Sequence, residues 1–383
     1  MTTEPHAGGR QHIDYFDPLR VTAAFGVIFM HTASDLLRLD VTPQWELTNV
    51  CTSLAFTSVP LFLMMSGYLI LSSPRTLDIR CHLTRRLPHL LAPLAFWTVI
   101  AVVEVQLSQH TLSPATVLEG LVYSFRNPVM LHFWYMYQLV ALYLLSPILC
   151  AALRSLDRSG HRYVLVLICA VTVHAMLTTA LPVTWSRFVD FDVFDRLKLF
   201  SGNLWSFILG FYLGGARRRL PNWALALTGA GLLAAISLGS RALAQGTGYE
   251  ESFVNQNVGF EVALAACVFL LWKQNYRAKK GITRFLRPLA ALTFPIYMMH
   301  GLLLTLILYG GYGPHGFRGA AAISVLVFLA CFLCVKTAAS IRPLCYPATG
   351  MRYEDACRTC NWQYTFHALR NRPSAHGSDQ KEI

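Results

Sequence analysis

The sequence has little charge. Of its 383 residues only 14% are Asp, Glu, Lys or Arg, whereas 54% are hydrophobic and the mean hydropathy is +0.43. Soluble globular proteins usually have about 25% charged residues. This shortage excludes a disordered or fibrous chain, disfavours a soluble two-domain enzyme, and favours a membrane protein that crosses the bilayer several times.

The basic residues are not gathered in one solvated domain. The chain has 32 Lys and Arg against 20 Asp and Glu, a net charge of +12. A nucleic-acid-binding protein would concentrate such a surplus on one face or domain. Because the basic residues lie between apolar runs here, the expected partner is the lipid bilayer and no nucleic acid is expected.

Ten segments are long and apolar enough to cross a hydrocarbon core about 30 Å thick. They cover residues 16–37, 50–72, 87–107, 131–152, 163–181, 199–216, 222–240, 255–273, 289–309 and 317–340. We therefore predict an all-α, polytopic membrane helical bundle of about ten transmembrane helices. It divides into an N-terminal segment 1–15, an integral membrane domain 16–340 and a tail 341–383.

The distribution of Lys and Arg orients this bundle. With ten spans both termini lie on one side, and the segments on that side hold 23 of the 32 Lys and Arg, against seven in the opposite loops. The positive-inside rule therefore predicts that both termini, and the tail, are cytoplasmic.

The outer loops also lack paired cysteines. Of ten Cys only Cys51 lies near such a loop, which excludes an extracytoplasmic disulfide framework. Cys357 and Cys360 form a Cys-x-x-Cys pair in the tail, but a structural zinc site needs four ligands. We expect reduced cysteines and no bound metal.

The first predicted span carries two ionisable residues. Asp17 is a suitable N-cap and Pro18 suits the first helical turn, so Arg20 lies about one turn into the bilayer. His31 follows eleven residues later, which advances a helix by about 16 Å and returns it to within about 20° of the same face. Ionisable groups at such depth indicate function, although a snorkelling Arg20 and a structural, hydrogen-bonded His31 are the alternatives.

Four motifs, in order, resemble the membrane acyltransferase 3 family. They are an Arg-x10-His signature from Arg20 to His31, Ser-Gly-Tyr-Leu at 66–69, His-Phe-Trp-Tyr at 132–135 and Ile-Tyr-x-x-His at 296–300. The resemblance covers residues 14 to about 340. Within the family the chain most resembles bacterial inner-membrane O-acetyltransferases that modify surface glycans, such as that of the enterobacterial common antigen.

The resemblance implies transfer of an acyl group, usually acetyl, from cytoplasmic acyl-CoA to a hydroxyl of a cell-surface or lipid-linked glycan. It implies catalytic roles for His31 and Arg20. His31 would act as general base on the acceptor hydroxyl, because imidazole titrates near neutrality, or would carry the acyl group itself. The expected co-substrate is acetyl-CoA or another acyl-CoA such as succinyl-CoA.

Arginines on the cytoplasmic side are candidates for binding CoA phosphates, namely Arg20, Arg85 and Arg86. Family members often have Arg-x-x-Arg before a Pro at the start of the third helix. Arg86 matches the first position, but His89 stands at the second. Ordinary positive-inside charge is the alternative for these arginines. The separation of Arg20 from His31 is comparable to the reach of an extended pantetheine arm.

Five residues are candidates for binding the acceptor, namely His132, Trp134, Glu261, Tyr297 and His300. Tyr297 and His300 are nominated by the resemblance alone. Trp134 is suited to stack on a sugar or to belong to the aromatic belt of the membrane interface. Glu261 is suited to bind the acceptor, to orient a base or to make a hydrogen bond between helices.

Two other functions stay open. A transporter or flippase of an amphiphilic or polyprenyl-linked substrate would also need buried polar residues, but would often show an internal repeat, and none is evident. A family member without catalysis, acting as a receptor or partner subunit, is the second alternative.

Overall fold

The computed structural model describes residues 12–38, 40–181, 188–189, 192–246, 253 and 259–370, and among these it contains helices and no strand. The helices are α1 (Phe16–Ala33), α2 (Pro43–Phe56), α3 (Ser58–Leu71), α4 (Pro88–Ser108), α5 (Pro114–Ser124), α6 (Trp134–Ser155), α7 (Arg158–Ala180), α8 (Asp192–Gly215), α9 (Asn222–Gly246), α10 (Gly259–Asn275), α11 (Lys280–Tyr309), α12 (Gly316–Ser340), α13 (Arg342–Thr349), α14 (Tyr353–Thr359) and α15 (Trp362–Arg370). Shorter helical turns are Ser34–Arg38, Pro74–Thr76, Ile79–Cys81, His82–Arg86 and Leu131–Phe133.

Seven helical segments within the described residues are long and apolar enough to cross a membrane. They are Pro43–Leu71, Ile79–Ser108, Leu131–Ser155, Arg158–Ala180, Asn222–Gly246, Gly281–Leu308 and Gly316–Ser340. The all-helical, multi-pass architecture is therefore confirmed.

Three predicted spans fall on α1, α8 and α10, which are not among those seven. α1 contains three ionisable side chains within 18 residues, and α10 is only 17 residues long. The count of ten spans and the cytoplasmic side of the termini stay predictions. Residues 1–11, 255–258 and 371–383 of the predicted segments lie outside the described residues.

The second predicted span is two helices rather than one. α2 ends at Phe56 and α3 begins at Ser58, with the hydroxyl of Thr57 donating a hydrogen bond to Leu54 O at 2.6 Å. Pro60 explains the interruption, because it has no N–H to donate to the carbonyl of Phe56 four residues earlier.

α1 lies at the centre of the bundle, where its main neighbours are α11, α12, α2 and α3. Ile28 and Ala33 on this helix are completely buried. The start of α1 differs from the prediction, since the helix begins at Phe16 and Asp17 is not its N-cap. The buried carboxylate of Asp17 instead lies 2.8 Å from Nε2 of His12.

α3 and α8 are the most closely packed pair of helices. A Cβ atom at Gly67 would lie 1.8 Å from Phe207 O, and one at Gly210 would lie 2.0 Å from Met64 O. Both glycines are therefore needed for the two backbones to approach this closely, a common way of packing helices in membranes.

Residues 342–370 of the predicted tail are folded onto the membrane domain. Trp97 Nε1 on α4 donates a hydrogen bond to Ala348 O at 2.9 Å. Lys336 Nζ at the end of α12 lies 4.2 Å from the ring centroid of Trp362 on α15, a cation–π distance. The tail is thus part of the bundle and helps to form its surface.

Candidate active site

Three histidine side chains from distant parts of the sequence meet beside the end of α1. The ring centroids of His132 and His300 are 4.4 Å apart, those of His31 and His300 are 5.5 Å apart, and those of His31 and His132 are 6.3 Å apart. His132 and His300 are 4% and 0% exposed, whereas His31 is only partly buried. His31 is therefore the accessible member of this histidine cluster.

Backbone carbonyls orient the two buried rings. His132 Nε2 donates a hydrogen bond to Met298 O at 3.3 Å, and His300 Nδ1 donates one to Tyr297 O at 2.5 Å. A carbonyl oxygen can only accept, so these bonds assign the proton to those nitrogens in the neutral rings. His300 Nε2 is left as a buried lone pair with no hydrogen-bond partner among the described residues.

Tyr297 connects the cluster to its surroundings. Its hydroxyl donates a hydrogen bond to His132 O, and its ring centroid lies 5.5 Å from that of His300 and 5.4 Å from that of Tyr135. Tyr297 therefore fixes the short helical turn that carries His132 against α11.

Gly301 is a part of the site that the sequence analysis missed. A Cβ atom at this position would lie 2.1 Å from His132 Cε1, so only glycine leaves room for the ring beside α11. The available signal was its place directly after the Ile-Tyr-x-x-His motif inside a long helix, where glycine is otherwise unfavourable.

A cavity of about 260 Å³ extends from Tyr297, which contacts the cluster, to the predicted cytoplasmic arginines. Tyr135 and Tyr297 line one part of it, and Arg20, Arg86 and His89 line another. None of the three histidines is among its lining residues, so the cavity connects two of the candidate CoA-binding arginines with Tyr297, the residue that packs against His132 and His300.

The two arginines in this cavity are held differently. The Arg20 guanidinium lies 5.8 Å from the ring centroid of the buried Phe16. Arg86 donates hydrogen bonds from Nη1 to Thr76 Oγ1 and from Nη2 to Ser73 Oγ, each 2.7 Å long. These bonds fix Arg86 to the turn after α3 and hold its charge beside the cavity.

The sequence comparison agrees with this geometry. The family described as acyltransferase domain matches residues 13–336, which is most of the chain. The chain belongs to the acyltransferase 3 family. No curated protein and no solved structure matches it.

Membership implies acyltransferase activity, and together with the apolar helices it identifies a multi-pass membrane acyltransferase. The predicted family is confirmed. The narrower likeness to bacterial O-acetyltransferases of surface glycans stays a prediction.

The remaining site residues of this acyltransferase are not all at the cluster. Arg85 is exposed and lines a separate surface pocket, so the structure does not bring it into the cavity with Arg20 and Arg86. Trp134 is half-buried at the start of α6, with its ring centroid 6.2 Å from that of Tyr135. Trp134 is therefore close to the cluster, next to a ring that lines the cavity.

Glu261 is completely buried on α10, whose main neighbours are α9, α7 and α3. Within the described part of the acyltransferase neither carboxylate oxygen has a hydrogen-bond partner, so the hydrogen bond between helices is not observed there. Nor does a hydrogen bond or ring contact connect Glu261 to the three histidines in that part of the chain. Its role in binding the acceptor stays a prediction.

The described residues contain no group of three His, Cys, Asp or Glu side chains suited to hold a metal ion. In the tail, Cys360 is completely buried and Cys357 Sγ accepts a hydrogen bond from Asn361 Nδ2 at 3.1 Å. The contacts of the Cys-x-x-Cys pair are thus those of packed, reduced cysteines.

Proposed function

We propose that this acyltransferase moves an acetyl group from cytoplasmic acetyl-CoA to a hydroxyl of a cell-surface or lipid-linked glycan, in the inner membrane of a bacterium. The observation that carries the proposal is the cavity between the two arginines and Tyr297, whose ring contacts His132 and His300 of the histidine cluster. The cavity supplies a cationic end for the phosphates of the donor, and the histidine cluster lies behind Tyr297 at its other end.

The length of the path supports an acyl-CoA donor. Arg20 and His31 lie on one uninterrupted helix, eleven residues and thus about 16 Å apart along its axis. An extended pantetheine arm has a comparable reach. Its thiol end would lie near His31 while its phosphate end stays at Arg20 and Arg86.

His31 is the general base in this proposal. Its imidazole takes the proton of the acceptor hydroxyl as the oxygen attacks the thioester carbonyl. When the tetrahedral intermediate collapses, the carbon–sulfur bond breaks and the departing CoA thiolate takes the proton back from His31. Acetyl is thereby moved from sulfur to oxygen, and the enzyme returns to its starting protonation state.

The other residues near the cluster are proposed to bind and orient the acceptor glycan. His132, His300 and Tyr297 form a rigid wall beside His31, since the side chain of each donates a hydrogen bond to a backbone carbonyl. Trp134 offers an aromatic face on which the sugar ring of the acceptor stacks. Glu261 is proposed as a further acceptor-binding residue, reached from the side of α10.

The test uses inverted membrane vesicles, which expose the cytoplasmic face. Labelled acetyl-CoA is supplied, and label is followed into lipid-linked and polymeric glycan for wild type, His31→Ala and the control His367→Ala, which changes an exposed tail histidine. We expect incorporation by wild type and control and none by His31→Ala.

The outcomes separate the alternatives. Equal incorporation by His31→Ala would overturn the base assignment. A wild type that incorporates label from neither acetyl-CoA nor succinyl-CoA would overturn the proposed reaction, and transport of a labelled polyprenyl-linked saccharide would then be measured. Label trapped on the protein of an acceptor-free sample, and absent from His31→Ala, would indicate an acyl-histidine intermediate instead of direct transfer.

A further inference from the structure

A second pocket, of about 400 Å³, lies where the turn before α4 meets the tail. Its charged side chains and its histidine are Arg85, His89, Arg342, Arg352 and Glu354, and its aromatic rings are those of Tyr346 and Tyr353. The three arginines are exposed and outnumber the single carboxylate. The pocket is therefore cationic, and it is open to the side of the membrane on which the tail is predicted to lie.

The tail contributes most of this pocket. Arg342, Arg352 and Glu354 follow residue 336, where the match to the family ends. The cationic pocket is consequently a feature of this chain that the family match does not cover. In the sequence, Arg342 and Arg352 enter only the count of basic residues on the predicted cytoplasmic side.

The tail is fixed in place at this pocket. His89 Nδ1 donates a hydrogen bond to Gly350 O at 2.5 Å, and its ring centroid lies 5.4 Å from that of Tyr346. Gly350 has a positive φ of 71°, and a Cβ atom there would lie 2.2 Å from His89 O. The contact between α13 and the start of α4 therefore depends on glycine at 350, and it holds the tail arginines opposite Arg85.

His89 also connects the pocket with the cavity described above. Its side chain lines both spaces. A ligand that fills the pocket with its anionic end and passes His89 would enter the cavity that contains Arg86 and Arg20 and extends to Tyr297. The two spaces thus adjoin at His89 and offer one path from the surface to the arginines of the cavity.

We propose that Arg342 and Arg352 of the tail, together with Arg85, bind the 3′-phosphate at the nucleotide end of acyl-CoA. The inference rests on the proposed function for the identity of the donor. Guanidinium groups match phosphate oxygens in a bidentate geometry, and several such groups suit a ligand with a diphosphate and a separate 3′-phosphate. The diphosphate then passes His89 and reaches Arg86 and Arg20, and the pantetheine arm continues from there.

Binding to the purified full-length protein tests this assignment without turnover. The probes are CoA and adenosine 3′,5′-bisphosphate, titrated by calorimetry into wild type, Arg342→Gln/Arg352→Gln and Arg358→Gln. Arg358 is exposed on α14 and does not line the pocket, so this control removes one positive charge, against two in the double variant, from the same tail. We expect the double variant to bind both probes at least about tenfold more weakly, and the control to stay within about twofold of wild type.

Kinetics supply a second readout. If the tail arginines only bind the donor, the double variant raises KM for acetyl-CoA by a similar factor while kcat stays near that of wild type. Matching elution volumes and unfolding temperatures of the three proteins verify that the tail is still docked.

The measured outcomes distinguish a wrong tail site from a wrong assignment of acetyl transfer. Wild-type affinity and KM in the double variant would overturn the tail site and leave the acetyl transfer intact. A wild type that binds CoA but transfers no acetyl group, with the double variant losing that binding, would support the tail site and overturn the reaction. A wild type that binds neither probe would overturn the tail site as well.

Discussion

Gly301 and His132 are packed so closely that a single methyl group would separate them. The Cβ atom of any other residue at 301 would lie 2.1 Å from His132 Cε1, well inside a van der Waals contact. His132 is buried against both Tyr297 and His300, so its ring has no free space into which to move. The position of His132 in the histidine cluster therefore depends on glycine, which has no side chain, at residue 301 of α11.

Gly301→Ala should lower the rate of acetyl transfer strongly and reduce stability by about 1–3 kcal/mol, because the new methyl group overpacks the site and displaces His132. Initial rates in vesicles and the unfolding temperature of the purified protein measure the two effects. Gly231→Ala is the matched control, since a Cβ atom there meets nothing within 4 Å. That variant should be as active as wild type and equally or slightly more stable. A fully active Gly301→Ala would show that the position of His132 is irrelevant.

Tyr297→Phe should reduce kcat about 5- to 10-fold, because it removes the hydrogen bond that fixes the backbone of His132 and leaves a buried carbonyl unpaired. Tyr137→Phe is the matched control. It also removes a tyrosine hydroxyl that donates a hydrogen bond to a backbone carbonyl, in this case Ser124 O. Both variants should lose some stability. Only Tyr297→Phe should also lose activity, because a smaller fraction of its molecules has His132 in the correct position. Equal activities of the two variants would assign Tyr297 a purely structural role.

Local features of this site could be predicted from the sequence, and non-local ones could not. The common stripe of Arg20 and His31 follows from helical periodicity alone. The contact of His31 with His132 and His300 depends on how α1, the short turn Leu131–Phe133 and α11 pack, so the motifs nominated these residues without bringing them together. Gly301 was not predicted, because its role is to leave room for the His132 ring, and a sequence does not show which residues will pack against a glycine.

The packing of whole helices in the tail could not be predicted from the sequence either. Arg342 and Arg352 looked like ordinary positive-inside charge, because nothing in a single sequence shows that α13 packs on α4. Asp17 was assigned to the wrong structural role for a related reason. Its side chain satisfies the pattern of an N-cap, but the N-cap is Tyr15, two residues earlier, and the carboxylate of Asp17 is paired with His12.

Arg20→Gln should raise KM for acetyl-CoA about tenfold or more and change kcat less, because the guanidinium lines the cavity proposed for the donor. Arg158→Gln, an exposed arginine at the start of α7, is the control for loss of positive charge and should have the KM of wild type. An unchanged KM with a large fall in kcat would mean that Arg20 acts on the reacting groups and not on the phosphates.

Cysteine alkylation tests both the orientation and the folded tail. Burial raises the pKa of the Cys360 thiol to about 11, so at pH 8 this side chain is both inaccessible and almost fully protonated. Cys81, on the turn before α4, is only partly buried. A membrane-impermeant maleimide should therefore modify Cys81 and spare Cys360 in inverted vesicles, and in spheroplasts it should modify neither, because both residues are predicted to be cytoplasmic.

The sites of modification are identified by peptide mass spectrometry, with denatured protein as the control in which both thiols react. Because only unfolding of the tail exposes Cys360, its labelling in native vesicles would contradict the packing of α14 and α15 on the bundle. Labelling of Cys81 in spheroplasts would instead reverse the predicted orientation. The arginine pocket would then face away from the cytoplasm, where acyl-CoA cannot reach it, and the proposed direction of acetyl transfer would fail with it.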